Sequence, residues 1–268
     1  MNIYPNKLTK LCISISTKPG TSGSKFHNSG YKLLNLNYLY VPFKFDNLDN
    51  LKIVLNKFNI RGCSVSMPFK EKIIKFLDIK DLSTIKTNAA NTLVCKNGII
   101  KGYNTDYYAT KVMINKINLK KEDTILLLGN GGVSKTIYEY IRKIKVKNIY
   151  LCARNNSKFK NWKITKNSII LNWKKRNELS SSLLINATPI GMNNKLIPID
   201  LKKINRFKSV LDLVINSKSS FKKIAQKNKV KFYDGLEFSF YQACKQFEIY
   251  TNKKINKKLI KKRLGYVF

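Results

Sequence analysis

The chain has 268 residues, 43% of them hydrophobic and 11% aromatic, which is enough for a large core in one or two domains and excludes a disordered chain. Its 52 Lys and Arg against 15 Asp and Glu give a net charge of +37, a field that attracts anions non-specifically. The basic residues are spread evenly among Asn and Ile rather than gathered in a tail or on one helix face, which suits a genome biased toward A and T better than a nucleic-acid surface, and no specific nucleic-acid partner is expected.

The opening MNIYPNKLTKLCISIST holds too short an apolar run for a signal peptide, and nothing downstream approaches a membrane span. A cytoplasmic protein without membrane contact is expected. Residues 11–17, LCISIST, read as a strand, and a turn-rich PGTSGS leads into a helix around 25–35. NYLYVPF (37–43) is a second strand, and apolar spacing predicts a helix over about 47–58. IRGCSVS (60–66) is a short buried strand ending before Pro68, followed by a helical pattern to about 86. NTLVCKNGIIKGYN predicts a hairpin turning at Asn97-Gly98, and a helix over about 106–117 runs into the polar break NLKKED.

The second half restarts with TILLLGNGGVSKTIYEYIRKI (124–144), an apolar strand, a glycine turn and a helix. Short strands follow at 148–154, 168–171, 182–188 and 209–215, and a helical C-terminus spans about 236–263, long enough to pack back across the first domain. Strands alternating with helices imply a parallel sheet covered on both faces, hence an α/β fold. Five cysteines, Cys12, Cys63, Cys95, Cys152 and Cys244, form no CxxC pair, which fits reduced thiols and offers no metal site.

GNGGVS, residues 129–134, has the G-x-G-x-x-G/A form with Ser134 in the last place. The first glycine permits the tight turn, and the second lets the backbone approach a pyrophosphate seated on the helix N-terminus. The motif alone is weak, but the strand before it and the helix after it are the required context. Gly129, Asn130, Gly131, Gly132, Val133 and Ser134 are therefore candidate cofactor residues. The following strand ends at Ala153-Arg154 with no acid to accept from a ribose 2′-hydroxyl. Arg154 and Lys158 suit a 2′-phosphate instead, so NADP (NADPH) is expected over NAD.

Several strings fall in one order: GCSVSMPFKE (62–71), NAANTLV (88–94), GYNTD (102–106), the glycine turn, NATPIGM (186–192) and FSFYQACKQFEIYT. Together they resemble the shikimate dehydrogenase family over essentially the whole chain. The resemblance implies an N-terminal α/β substrate domain (1–105 with about 236–268) and a Rossmann-like NADP-binding domain (106–235), with a cleft between them. It implies reversible reduction of 3-dehydroshikimate to shikimate with NADPH in aromatic biosynthesis. The catalytic pair falls on Lys70 and Asp106. Substrate contacts fall on Ser22, Ser24, Ser66, Asn91, Thr105 and Gln242, and cofactor contacts on Asn186, Ala187, Thr188 and Gly235. Ser64 and Ser66 stand where the family usually has Asn and Thr, Ile215 where Tyr is common and Glu237 where Gly is common. The RGC-VSMPFKE wording is nearer to a shikimate dehydrogenase-like subgroup, so quinate or another polyhydroxy acid stays open as substrate. A basic nucleotide- or nucleic-acid-binding protein without turnover is the alternative of another class. A monomer or homodimer is expected. His27, the only histidine, is expected to pack or hydrogen-bond locally.

Overall fold

The computed structural model describes residues 5–192, 196–215 and 219–266. In chain order β1 (Lys10–Ser16), α1 (Ser22–Leu33), β2 (Tyr38–Lys44), α2 (Leu51–Lys57) and β3 (Gly62–Val65) come first. A 3-10 turn over Lys72–Phe76 leads to β4 (Ile79–Lys80), α3 (Leu82–Thr87), β5 (Thr92–Lys96), β6 (Ile99–Tyr103) and α4 (Thr105–Ile117). The second half holds β7 (Thr124–Leu128), α5 (Gly132–Ile141), β8 (Asn148–Ala153), β9 (Ser168–Asn172), β10 (Ser181–Asn186) and β11 (Phe207–Asp212). It closes with α6 (Ser220–Lys227), β12 (Lys231–Asp234), α7 (Gly235–Thr251) and α8 (Lys257–Leu264). The chain divides into two compact units, Met1–Tyr108 with Phe240–Val267 and Ala109–Ser239, so it passes from one to the other within α4 and again within α7.

The first unit is built on a six-stranded sheet ordered β2-β1-β3-β5-β6-β4. It is mixed: β1 runs parallel to β2 and β3, while β5 is antiparallel to both β3 and β6. The hairpin turns where predicted, with Asn97 and Gly98 both at positive φ (51° and 76°), the backbone a two-residue primed turn requires. Ile13, Ile15, Leu51, Leu55, Val65, Phe69, Ile73 and Leu93 form its core. The helix read through residue 86 is broken. Asp78 accepts from the Ile100 N–H at 2.7 Å, β4 pairs with β6, and Asp81 caps α3 by accepting from the Ser83 N–H. Edge pairing overrode the apolar spacing there.

The second unit has a six-stranded sheet ordered β12-β11-β10-β7-β8-β9, parallel at every pairing. β7 and β10 are buried along nearly their whole length, as strands covered on both faces must be. The chain winds outward from β7 to β9, then returns to β10 on the other side. The carboxyl ends of β7 and β10 therefore form the switch point, where ligands bind in open sheets of this kind. β12, the edge strand KFYD, carries no clear strand pattern and was not predicted. The helical C-terminus expected over about 236–263 comprises two helices: Asn252 takes φ +55°, and Asn256 accepts from the Lys258 and Leu259 N–H groups to start α8. Among the described residues, no helix is long and apolar enough to cross a membrane.

Candidate active site

In the first unit β3 delivers the chain to the GCSVSMPFKE turn. The Ser66 N–H donates to the Ile15 carbonyl, and the Phe69 N–H returns to the Ser66 carbonyl. Phe69, at 2% exposure, is anchored in the core, so the next residue is directed from a fixed point. The Lys70 carbonyl accepts from the Ala90 N–H, tying the turn to the segment before β5. Lys70 Nζ lies 2.7 Å from Asp106 Oδ2, with the lysine side chain 18% and the aspartate 6% exposed. Asp106 sits in the first turn of α4, where the helix dipole favours a carboxylate, and its N–H donates to Asn104 Oδ1. The protein gives Lys70 no other side-chain partner among the described residues. The ammonium is thus a hydrogen-bonded, partly shielded donor with protons to spare.

Asn91, buried at 4% exposure, is held through its oxygen. Oδ1 accepts from the Thr105 N–H at 2.8 Å, from Thr105 Oγ1 at 3.0 Å and from Thr92 Oγ1 at 2.8 Å. Its Nδ2 makes no hydrogen bond within the described protein and keeps two protons for a ligand. Thr105, expected at the substrate, donates its hydroxyl proton to Asn91 Oδ1. Gln242 on α7 is half-buried, and its amide has no partner among the described residues. Ser22 begins α1, exposed, its hydroxyl without a partner among the described residues, and α1 has neither a side-chain cap nor an acid in its first turn. Its leading N–H groups suit a carboxylate. Ser24 Oγ instead donates to the Thr21 carbonyl at 2.8 Å. Ser66 is exposed at the turn.

Ser64 explains one departure from the family pattern. Its Oγ receives Tyr40 Oη at 2.5 Å and Tyr250 Oη at 3.0 Å, and donates to Gln246 Oε1 at 2.8 Å. The small hydroxyl here is hydrogen-bonded to both tyrosines. His27 is wholly buried, stacked on Tyr40 at 4.6 Å, and its Nε2 meets Gln246 Oε1 at 3.0 Å. Burial holds its pKa down at about 4, against the Gln246 hydrogen bond that favours the charged form. It is a packed, neutral residue, as expected. Gln246, Thr92 and Tyr40 escaped the sequence reading. The one available signal was the four-residue spacing of Gln242 and Gln246, which puts both on one helix face.

In the second unit the glycine turn leaves β7. Gly129 takes φ +108°, and a Cβ there would lie 2.8 Å from both the Ala187 carbonyl oxygen and Ser134 Oγ. Only glycine fits. Its N–H donates to the Cys152 carbonyl at 2.8 Å, and Asn130 Nδ2 donates to the Asn155 carbonyl, so the turn is fastened to the end of β8. Gly131 caps α5 without a side chain, Gly132 and Val133 open the helix, and no acid sits in its first turn. Those N–H groups are available to an anion. Ser134 is fully buried and its hydroxyl has no partner among the described residues. Arg154 follows β8 directly and Lys158 lies on the 3-10 turn Asn156–Asn161; both are exposed.

Across the switch point the Ala187 N–H donates to the Leu128 carbonyl at 3.0 Å. Asn186 Nδ2 donates to Asp212 Oδ1 at 2.8 Å, while its Oδ1 accepts from Thr188 Oγ1 at 2.7 Å and from the Thr188 N–H. Asn186 is a brace that shapes the Ala187-Thr188 bend beside Gly129. Burial pushes the Asp212 carboxyl up to about 6, helped by Asp234 and opposed by the Val214 N–H and Asn186 bonds. Gly235 answers a packing need: a Cβ would stand 2.3 Å from the Leu213 carbonyl oxygen. Glu237, another departure, is buried against Lys116 Nζ at 2.6 Å. Ile215 is exposed, and nothing in the structure explains it. The glycine turn, its uncapped helix N-terminus and the adjacent cations fit a dinucleotide phosphate.

A parallel six-stranded sheet with a glycine turn at its switch point, joined to a mixed-sheet unit carrying a lysine–aspartate pair, defines a two-unit α/β protein of Rossmann-like type. Residues 20–93 match the family model described as the shikimate dehydrogenase substrate binding domain. A shikimate dehydrogenase-like protein of Haemophilus influenzae is 31% identical over 260 residues, covering 95% of each chain. Shikimate dehydrogenase (NADP(+)) of Clostridium perfringens strain SM101 is 35% identical over 257 residues, covering 92% of this chain and 94% of that one. A solved shikimate 5-dehydrogenase-like protein superposes with a TM-score of 0.87 at 28% identity, over 98% of each chain. The chain belongs to the shikimate dehydrogenase family.

Proposed function

We propose that this chain is an NADP-dependent shikimate dehydrogenase, interconverting 3-dehydroshikimate and shikimate. The observation that carries the reading is Lys70 Nζ at 2.7 Å from Asp106 Oδ2, on the same scaffold that leaves the Asn91 amide nitrogen without a partner. Reduction of a ketone adds a hydride to carbon and a proton to oxygen, and the nicotinamide supplies the hydride when bound. Lys70 donates the proton to the carbonyl oxygen. Asp106 orients the ammonium and takes up its hydrogen bond, and in the reverse direction Lys70 receives the hydroxyl proton. Asn91 Nδ2 and the Gln242 amide hold substrate hydroxyls. Ser22 and the leading N–H groups of α1 take the carboxylate. Arg154 and Lys158 bind the 2′-phosphate, and Gly129–Ser134 with Ala187 and Thr188 hold the pyrophosphate end of the cofactor.

Quinate or a related polyhydroxy acid is the second reading, favoured by Ser64, which replaces a longer amide with a hydroxyl wholly engaged by its neighbours. Initial rates with shikimate and with quinate, each with NADP and with NAD, test both. The lead reading expects shikimate with NADP to give the highest kcat/KM. A preference for quinate establishes the second, and no turnover in any combination refutes both.

A further inference from the structure

Asn91 is held by a directional run of buried polar groups. Gln246, one turn along α7 from Gln242 and only 4% exposed, occupies its centre. Its Oε1 accepts from His27 Nε2 at 3.0 Å and from Ser64 Oγ at 2.8 Å. Its Nε2 donates to Thr92 Oγ1 at 2.8 Å and to the Asn91 carbonyl at 3.2 Å. The Asn91 carbonyl can only accept, so the Gln246 atom beside it is Nε2, and Oε1 faces the Ser64 hydroxyl as an acceptor. The glutamine amide can then sit only one way round. An amide nitrogen donates and never accepts. Thr92 Oγ1 therefore receives from Gln246, and its own proton passes to Asn91 Oδ1, 2.8 Å away. With Oδ1 saturated by donors, Nδ2 is the end of the Asn91 amide left with protons to give.

We infer that Gln246 is a positioning residue for the substrate: acting through Thr92, it adds a second anchor to Asn91 Oδ1 beside the Thr105 N–H and so steadies the amide with Nδ2 left as a donor to a hydroxyl or carboxylate oxygen of the ligand. The inference rests on the reading of this site as the shikimate-binding centre. Neither Gln246 nor Thr92 is assigned a contact with substrate. His27, Ser64, Tyr40 and Tyr250 serve to hold the glutamine.

Thr92→Val is close to isosteric, leaves the Gln246 bond to the Asn91 carbonyl in place and removes the hydroxyl that links Gln246 to Asn91, with its longer contact to Thr105 Oγ1. It is expected to raise the KM for shikimate about three- to tenfold, the effect of one lost neutral hydrogen bond, with the KM for NADP unchanged. Thr92→Ser restores the wild-type value. Gln246→Glu, which accepts but cannot donate to Thr92, gives the same rise should Thr92→Val fail to fold. In an Asn91→Ala background, Thr92→Val adds nothing further, an outcome a merely structural role does not produce. A rise that persists in that background, or equal rises for shikimate and NADP, overturns the inference. If wild-type protein does not oxidise shikimate, the proposed function fails separately. The inference is then read from the side-chain amide NMR signals of Asn91, which must move in folded Thr92→Val; unmoved signals overturn it.

Discussion

His27 makes acid stability measurable at a single group. The imidazole is wholly buried between Tyr40 and Phe247, and its neighbours Phe26, Tyr31, Tyr250 and Gln246 carry no charge to offset protonation. Burial, the larger effect, lowers its pKa from 6.5 to about 4. A lowered folded-state pKa means that stability is full above the unfolded value of 6.5 and is lost as pH falls toward 4. At about 1.4 kcal/mol per pKa unit the whole shift is worth about 3 kcal/mol, of which about 2 kcal/mol is already lost at pH 5. His27→Phe keeps the stacking and removes the titration. Urea denaturation followed by circular dichroism should show wild type losing about 2 kcal/mol more than His27→Phe between pH 8 and pH 5. As the chain has one histidine, its imidazole NMR signal reports the same event without ambiguity. Equal pH slopes in the two proteins, or an imidazole titrating near 6.5, would refute the reasoning.

Asp212 gives the opposite sign in the other unit. Its folded pKa is raised from 3.8 to about 6, so its contribution is full below 3.8 and lost as pH rises through about 6. Asp212→Asn keeps an acceptor for Asn186 and Val214; it should be more stable than wild type at pH 7.5, by up to about 3 kcal/mol, and no more stable at pH 3.5. Tryptophan fluorescence reads this unit, since Trp162 and Trp173 both lie within Ala109–Ser239. Arg154→Ala should raise the KM for NADP at least about tenfold, the loss of a charge-assisted contact, and leave the KM for NAD within about twofold. Equal losses for the two cofactors would remove Arg154 from the 2′-phosphate site.

The glycine turn was the most legible part of the chain because its constraints are local. A continuous apolar strand, a glycine that only glycine can replace and an uncapped helix start are all visible in TILLLGNGGVSKT. Lys70 and Asp106 were legible for a different reason: composition hides a lysine among 52 basic residues, and only the ordered strings around it single it out. The short strands β4 and β12 were not legible, since edge pairing rather than side-chain pattern makes them. The support beneath Asn91 was hidden as well. Gln246, Thr92, Ser64 and His27 come from α7, β5, β3 and α1, far apart in sequence, and no local pattern announces a hydrogen bond across 154 positions. Thr105 and Ser24 were named from the family resemblance, but what each hydroxyl bonds to depended on neighbours the sequence does not display.

Proton transfer at Lys70 is tested most directly by the turnover number of Lys70→Ala for shikimate oxidation, measured beside its Kd for NADP. The paired geometry with Asp106 predicts a fall in kcat of at least about a hundredfold with NADP binding unchanged. A variant that turns over at a near-normal rate would contradict it.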